Sequence, residues 1–200
     1  MDRRCCAPLP GTPPSAERIT TSFDPQTPRP PLTSAGIRAH NEDWRRTDFR
    51  GLLPLRPARA TAVVACMDSR MPIFGLLGLE PGDAHIIRNA GGVVTDDVIR
   101  SLILSQRAMG TTAIVLVHHT DCGLSKISED TMRAELEAAT GLAPRFAFEA
   151  FRDPVAAVRQ SIRRLERSPF LLHKDAICGF VYDVASGVLE EVRAGDAPDA

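Results

Sequence analysis

Four short runs of apolar and β-branched residues constrain this chain more than any other feature: TAVVAC at 61–66, AHIIR at 84–88, TAIVLVH at 112–118 and ICGFVY at 177–182. None alternates apolar with polar positions, so each reads as a strand covered on both faces, which is the situation in a parallel sheet. Between the second and third runs, TDDVIRSLILSQRAM at 95–109 carries a Thr N-cap and two acids in its first turn. Val98, Leu102 and Met109 follow at helical spacing, and Gly110 is the stop. Residues 128–139 and 154–167 also fit helices. Strands alternating with helices predict a three-layer α/β fold, a mainly parallel sheet flanked by helices and joined by right-handed crossovers. No internal repeat interrupts this pattern.

Upstream the character is different. Eight of the 16 prolines precede residue 32, in a stretch with few large apolar side chains. Such a segment cannot offset its ordering entropy, so residues 1–34 are expected to be a disordered tail, with 35–200 as a single domain. Residues 36–49, with His40, Asn41, Trp44 and Arg45, fit a polar amphipathic helix that leads into a Pro-interrupted linker ending at Arg59. With 44% hydrophobic and 24% charged residues the chain can bury a core. A net charge of -1 excludes nucleic-acid binding through bulk electrostatics. No apolar run is long enough to span a bilayer, and Arg3 and Arg4 have no apolar stretch behind them, so neither a membrane nor a secretory signal is expected. A cytoplasmic setting follows. Five cysteines, an odd number, then imply reduced thiols rather than a disulfide framework. The adjacent Cys5 and Cys6 cannot chelate one metal as a pair and read as exposed bystanders.

Open parallel sheets place their ligand sites at the carboxyl ends of strands. Here the first run ends in CMDSR at 66–70 and the third in HHTDCG at 118–123. Cys66, Cys122 and a histidine would make a Cys2His set, and three protein ligands leave a tetrahedral metal one open position, as in catalytic zinc sites. His118 and His119 point to opposite faces if the strand persists, so one of them faces the metal. Cys178, inside the fourth run without a nearby ligand type, reads as core. Asp68 is close enough in sequence to take the fourth metal position unless a cation holds it away. Arg70, which grips carboxylates bidentately, can be that cation, although a plain structural ion pair has the same spacing.

These residues resemble the β-class carbonic anhydrases. CMDSR matches the family's Cys-x-Asp-x-Arg signature, HTDCG at 119–123 matches His-x-x-Cys-Gly, and IIRNAGGVVTDDVIRSL at 86–102 is similar to its Arg-Asn-Ala-Gly segment and following helix. The resemblance runs from about Thr61 to Val192 and looks most like the short actinobacterial members. It implies zinc-dependent, reversible hydration of carbon dioxide to bicarbonate and a proton through a zinc-bound hydroxide. Cys66, His119 and Cys122 would ligate Zn2+, which leaves His118 for packing. Asp68 would orient the fourth ligand, or replace it in a closed state, and Arg70 would hold Asp68. The backbone N–H of Gly123 would contact bicarbonate, and Arg88, Asn89, Ala90, Gly91 and Gly92 would line the substrate pocket. A homodimer or a tetramer of dimers is implied, with the 36–49 helix packed across the partner.

Two positions depart from family patterns. No Gln lies between Gln26 and Cys66, where the plant-type branch uses one for substrate. Val63 stands where members with an allosteric bicarbonate site carry a Trp. The first departure keeps carbonyl sulfide or carbon disulfide hydrolysis as an alternative. A non-catalytic zinc or thiol-redox module is the remaining one. The proton carrier is open between His85 and buffer.

Overall fold

A computed structural model describes residues 29–193. The proline-rich segment 1–28, with Cys5 and Cys6, and residues 194–200 lie outside the described residues. Those described fall into two units, 29–53 and 54–193.

The first unit holds helix α1 (Ser34–Thr47), which begins two residues before the expected Gly36 because Thr33 is the N-cap, its side chain accepting the Gly36 N–H. Arg45 and Arg46 in the last turn suit the negative end of the helix dipole. No residue of α1 is buried, and Trp44 stacks at a tilt on Phe49 just beyond the helix.

The second unit is a five-stranded sheet in the order β2-β1-β3-β4-β5. Strands β1 (Thr61–Cys66), β2 (Ala84–Asn89), β3 (Ala113–His119) and β4 (Ile177–Tyr182) are parallel neighbours, and β5 (Leu189–Val192) closes the edge antiparallel to β4. The helices are α2 (Ile73–Leu77), α3 (Asp96–Arg107), α4 (Glu129–Thr140) and α5 (Pro154–Arg167), with 3₁₀ turns at Ala90–Gly92 and Gly123–Lys126. Thr95 caps α3 through the Val98 N–H, and Asp153 caps α5 through the N–H groups of Val155 and Ala156.

The sheet divides the core into two layers. On one face Val64, Ile114 and Leu116 meet Leu102 of α3 and Val158, Ile162 and Leu165 of α5. On the other, Val63, Ala65 and Val117 meet Met71, Ile73 and Leu124. Each large side chain buried this way stabilises by roughly 1.5–3 kcal/mol. Alternation along β1 therefore gives adjacent residues to different layers, which is why TAVVAC is apolar and buried from Ala62 onward. Gly179 of β4 lets α5 approach, since a Cβ there would stand 2.3 Å from Cγ1 of Val158.

Four features differ from the sequence reading. Strand β3 runs one residue later, to His119. Residue 89 extends β2. Strand β5 was not expected because LEEV is short and carries two exposed glutamates, as an edge strand can. The single-turn α2, entered through Pro72, is too short for a periodic signal. No helix among the described residues is long and apolar enough to cross a membrane.

Candidate metal centre and active site

Because β1 and β3 are parallel and adjacent, their carboxyl ends emerge at the same edge of the sheet, and Ala65 pairs with Val117 just before both ends. Cys66 is the last residue of β1 and His119 the last of β3. His119 shares the face of Val117 and of the Cys66 layer, whereas His118 shares that of Leu116. Cys122 returns to the same point by way of a tight turn in which Asp121 adopts φ 54°, a left-handed conformation that Asp tolerates better than most residues.

The donor atoms of Cys66, His119 and Cys122 all lie within 4.8 Å of one another, and all three residues are buried. The two sulfurs are 3.9 Å apart. Two sulfurs each about 2.3 Å from a tetrahedral zinc would stand about 3.8 Å apart, so the spacing fits the ion. His119 supports the same conclusion. Its Nδ1 donates to the Thr120 carbonyl at 2.8 Å, which leaves the lone pair on Nε2, and that buried nitrogen has no hydrogen-bond partner. A ligating histidine anchored through its other nitrogen is the usual arrangement around zinc. The hydrogen bond from the Cys122 thiol holds the Cys66 pKa well below an ordinary cysteine, and the resulting thiolate, together with burial, pushes Cys122 up. A bound cation is what would favour both thiolates together.

Asp68 and Arg70 stand beside these donors. Arg70 donates from Nε to Oδ1 of Asp68 at 3.0 Å and from Nη2 to Oδ2 at 2.8 Å, a two-pronged grip, and its backbone N–H adds a third bond to Oδ1. This holds the Asp68 carboxyl far below the usual carboxylate range. Oδ2 of Asp68 lies 3.6 Å from Nε2 of His119. The other side of the guanidinium bonds Asp121, from Nη1 to Oδ2 at 2.8 Å and from Nη2 to the carbonyl at 3.0 Å. Lys126 holds the second Asp121 oxygen.

Residues 88–92 form a buttress for these loops. Arg88 donates to the carbonyls of Cys66 and Asp68, so its charge is engaged by backbone. The Asn89 carbonyl accepts the Met67 N–H, and its side-chain amide donates to the Val93 carbonyl. Ala90 is exposed, and Gly91 and Gly92 are buried. Gly92 has φ 68°, and a Cβ there would stand 2.7 Å from the Cys66 nitrogen. Gly123 opens the turn after Cys122, exposed, with nothing within 4 Å of where a side chain would start. His118 is fully buried against Phe151, and burial lowers its pKa to about 4, so it is a neutral packing residue. Cys178 is buried in β4 and in no disulfide. His85 lies on the α3 face, its Nδ1 bonded to Ser105 and through it to Thr111, on the opposite side of the sheet from the thiols. That position removes it as a proton carrier. Sequence reasoning overlooked Asp121 and Lys126. The signal was present, an acid inside HTDCG and one of only two lysines, but nothing local says that Arg70 reaches Asp121 across 51 residues.

The carbonic anhydrase family profile matches residues 61–189. The chain belongs to the β-carbonic anhydrase family. Its 154-residue match to beta-carbonic anhydrase 1 of Mycobacterium tuberculosis is 48% identical and covers 77% of this chain and 94% of that protein. Among solved structures, the carbonic anhydrase from Streptococcus mutans is 39% identical, covers 80% of this chain and 96% of that one, and superposes with a TM-score of 0.74. A carbon disulfide hydrolase from Acidithiobacillus thiooxidans is 42% identical over 93 residues, 46% of this chain and 47% of its own length. The stretch shared with the family thus contains both ligand-bearing loops and the buttress of this β-carbonic anhydrase chain.

Proposed function

We propose that the chain catalyses the reversible hydration of carbon dioxide to bicarbonate and a proton, with zinc held by Cys66, His119 and Cys122. The observation that carries this reading is the donor set: two thiols and one imidazole nitrogen converge, while the carboxylate beside them is gripped by Arg70. Three protein ligands leave a fourth position for chemistry. When bound there, zinc would supply the Lewis acidity that makes water a nucleophile near neutral pH.

The remaining work falls to the chain's own groups. The Thr120 carbonyl holds the His119 ring in one tautomer and orientation. Asp68, kept ionised by Arg70, accepts a hydrogen bond from the attacking water and turns its lone pair toward the substrate carbon. Arg88, bonded to the Cys66 and Asp68 carbonyls, fixes the loop that carries both residues. The exposed Gly123 backbone is placed to meet the anionic product, and buffer removes the proton.

We read the assembly as a homodimer or a tetramer of dimers. In support, α1 buries none of its residues and leaves Ile37 and Trp44 exposed in the single chain. That Cys66 and Cys122 form no disulfide fits a reducing cytoplasmic setting. Residues 35–200 are then the catalytic domain and 1–34 its tail.

The test is stopped-flow carbon dioxide hydration by protein of measured zinc content, from about pH 6.5 to 9, beside a Cys66→Ala control. Turnover that vanishes in the control is expected. One zinc per chain with no hydration at any pH would overturn the proposal, and carbon disulfide and carbonyl sulfide assayed in parallel would then identify the related hydrolase.

A further inference from the structure

Arg70 is the member of the site held from two directions. One side of its guanidinium grips Asp68, two residues away on the same loop, and the other bonds the side chain and carbonyl of Asp121 on the loop after β3. Four of its five N–H groups are thereby engaged. We propose that Asp121 is a positioning residue for the hydration site: it anchors Arg70, and through Arg70 keeps the Asp68 carboxylate beside the metal position instead of on it.

Three observations support the assignment. The Arg70 side chain is 45% exposed, so without the Asp121 carboxylate only one bond, from Nη2 to the Asp121 carbonyl, would tie it to the second loop, and the Arg70–Asp68 pair would be freer to move together. Asp68 has little distance to travel, because its Oδ2 is 3.6 Å from Nε2 of His119, the nitrogen aimed at the metal position. Asp121 is itself fixed, one oxygen on Arg70 and the other on Lys126, with its backbone at φ 54°, where glycine would be the unstrained residue. The chain thus has a charged side chain at a turn position where a glycine would fit more easily. This inference rests on the metal-site reading above, and it concerns what controls the Asp68 carboxylate.

The experiment compares Asp121→Gly with Asp121→Asn, each zinc-loaded for kinetics and cobalt-substituted for absorption spectra at one pH. Glycine takes the left-handed backbone and removes both carboxylate oxygens. Asparagine keeps an oxygen for Nη1 of Arg70 and tolerates the same backbone. Asp121→Gly is expected to lower kcat/KM for carbon dioxide about tenfold or more, with Asp121→Asn within about threefold of the parent. The cobalt d–d bands of Asp121→Gly should shift as a carboxylate replaces water in the metal's shell, while Asp121→Asn keeps the parent spectrum and melting curves confirm that both fold. Parent spectra and rates in Asp121→Gly would overturn the proposal. So would equal losses in both variants with unchanged spectra, since that pattern marks a merely structural ion pair. If the parent zinc protein itself fails to hydrate carbon dioxide, the functional reading falls, and the cobalt spectra alone decide whether Asp121 governs Asp68.

Discussion

The sulfurs of Cys66 and Cys122 lie 3.9 Å apart although 56 residues separate them. Parallel pairing of β1 with β3 produces this proximity, and the left-handed turn at Asp121 completes it. Two buried thiols this close share a proton, which disfavours the second thiolate until a cation arrives.

Metal binding should therefore stabilise the fold and release protons. Zinc at about a thousandfold over its Kd would stabilise by about 4 kcal/mol, or about 8–16 °C in Tm for a chain of this size. Stripping the ion with a chelator should reverse that shift. Calorimetry of rebinding in buffers of different ionisation enthalpy should report about one to two protons released per zinc. A Tm indifferent to zinc would contradict the three-donor site.

Asp68 and Arg70 act as a unit, so their variants should fail differently from ligand variants. Asp68→Asn keeps the size of the side chain but loses the charge that orients water, and should cost about 100-fold in kcat/KM with one zinc per chain retained. Arg70→Lys cannot make the fork and should cost about tenfold. Parent-like kinetics for Asp68→Asn would remove it from the machinery.

Two glycines allow packing and site geometry to be separated. Gly92→Ala places a Cβ 2.7 Å from the Cys66 backbone at φ 68°, and Gly179→Ala places one 2.3 Å from Val158. Each should destabilise by about 2–4 kcal/mol. Only Gly92→Ala should also weaken zinc affinity, because it displaces the strand end that carries a ligand. Competition against a chromogenic chelator measures the difference, and equal affinities in the two variants would count against the buttress role.

Acid stability should depend on Glu129, whose carboxylate accepts the Phe148 N–H through both oxygens and ties α4 to the chain that leads into α5. The Phe148 N–H is the main cause of its lowered pKa, with Ala150 and Arg133 helping against partial desolvation. A depressed carboxylate pKa means that the unfolded state binds the proton first as pH falls. This contribution to stability is therefore complete above the unfolded value of about 4.3 and is lost as pH drops through the folded value. Glu129→Gln should have a lower Tm at pH 7 and a shallower decline in acid. A Tm-against-pH series on both proteins tests it, with an unchanged acid limb as the contrary result.

Much of this was legible from residue order. Runs such as TAVVAC are apolar at every position after Thr61 because both faces of the sheet are covered, and that pattern announces buried parallel strands. Thr95 marks a helix start through side-chain chemistry that acts within three residues. Cys66, Cys122 and one of the two adjacent histidines, with Asp68 and Arg70 beside them, stood out because metal and carboxylate chemistry restricts residue types at close spacing, and the family resemblance implied His119 as the histidine. Edge strand β5 was not, since its glutamates need only one dry face.

What the sequence by itself determined is the set of parts: buried strands, capped helices, and two short loops rich in metal ligands. Only the tertiary structure decided how those parts act on one another. Pairing of β1 with β3 brings Cys66 to Cys122, the strand's extension through His119 turns that ring toward the thiols, and His85 lands on the far face. Arg88 is spent on backbone carbonyls, and Arg70 reaches Asp121 across the gap between loops. The reason is physical: local sequence governs interactions within about one helical turn, whereas contacts between distant segments depend on strand order and register, which the whole core selects at once.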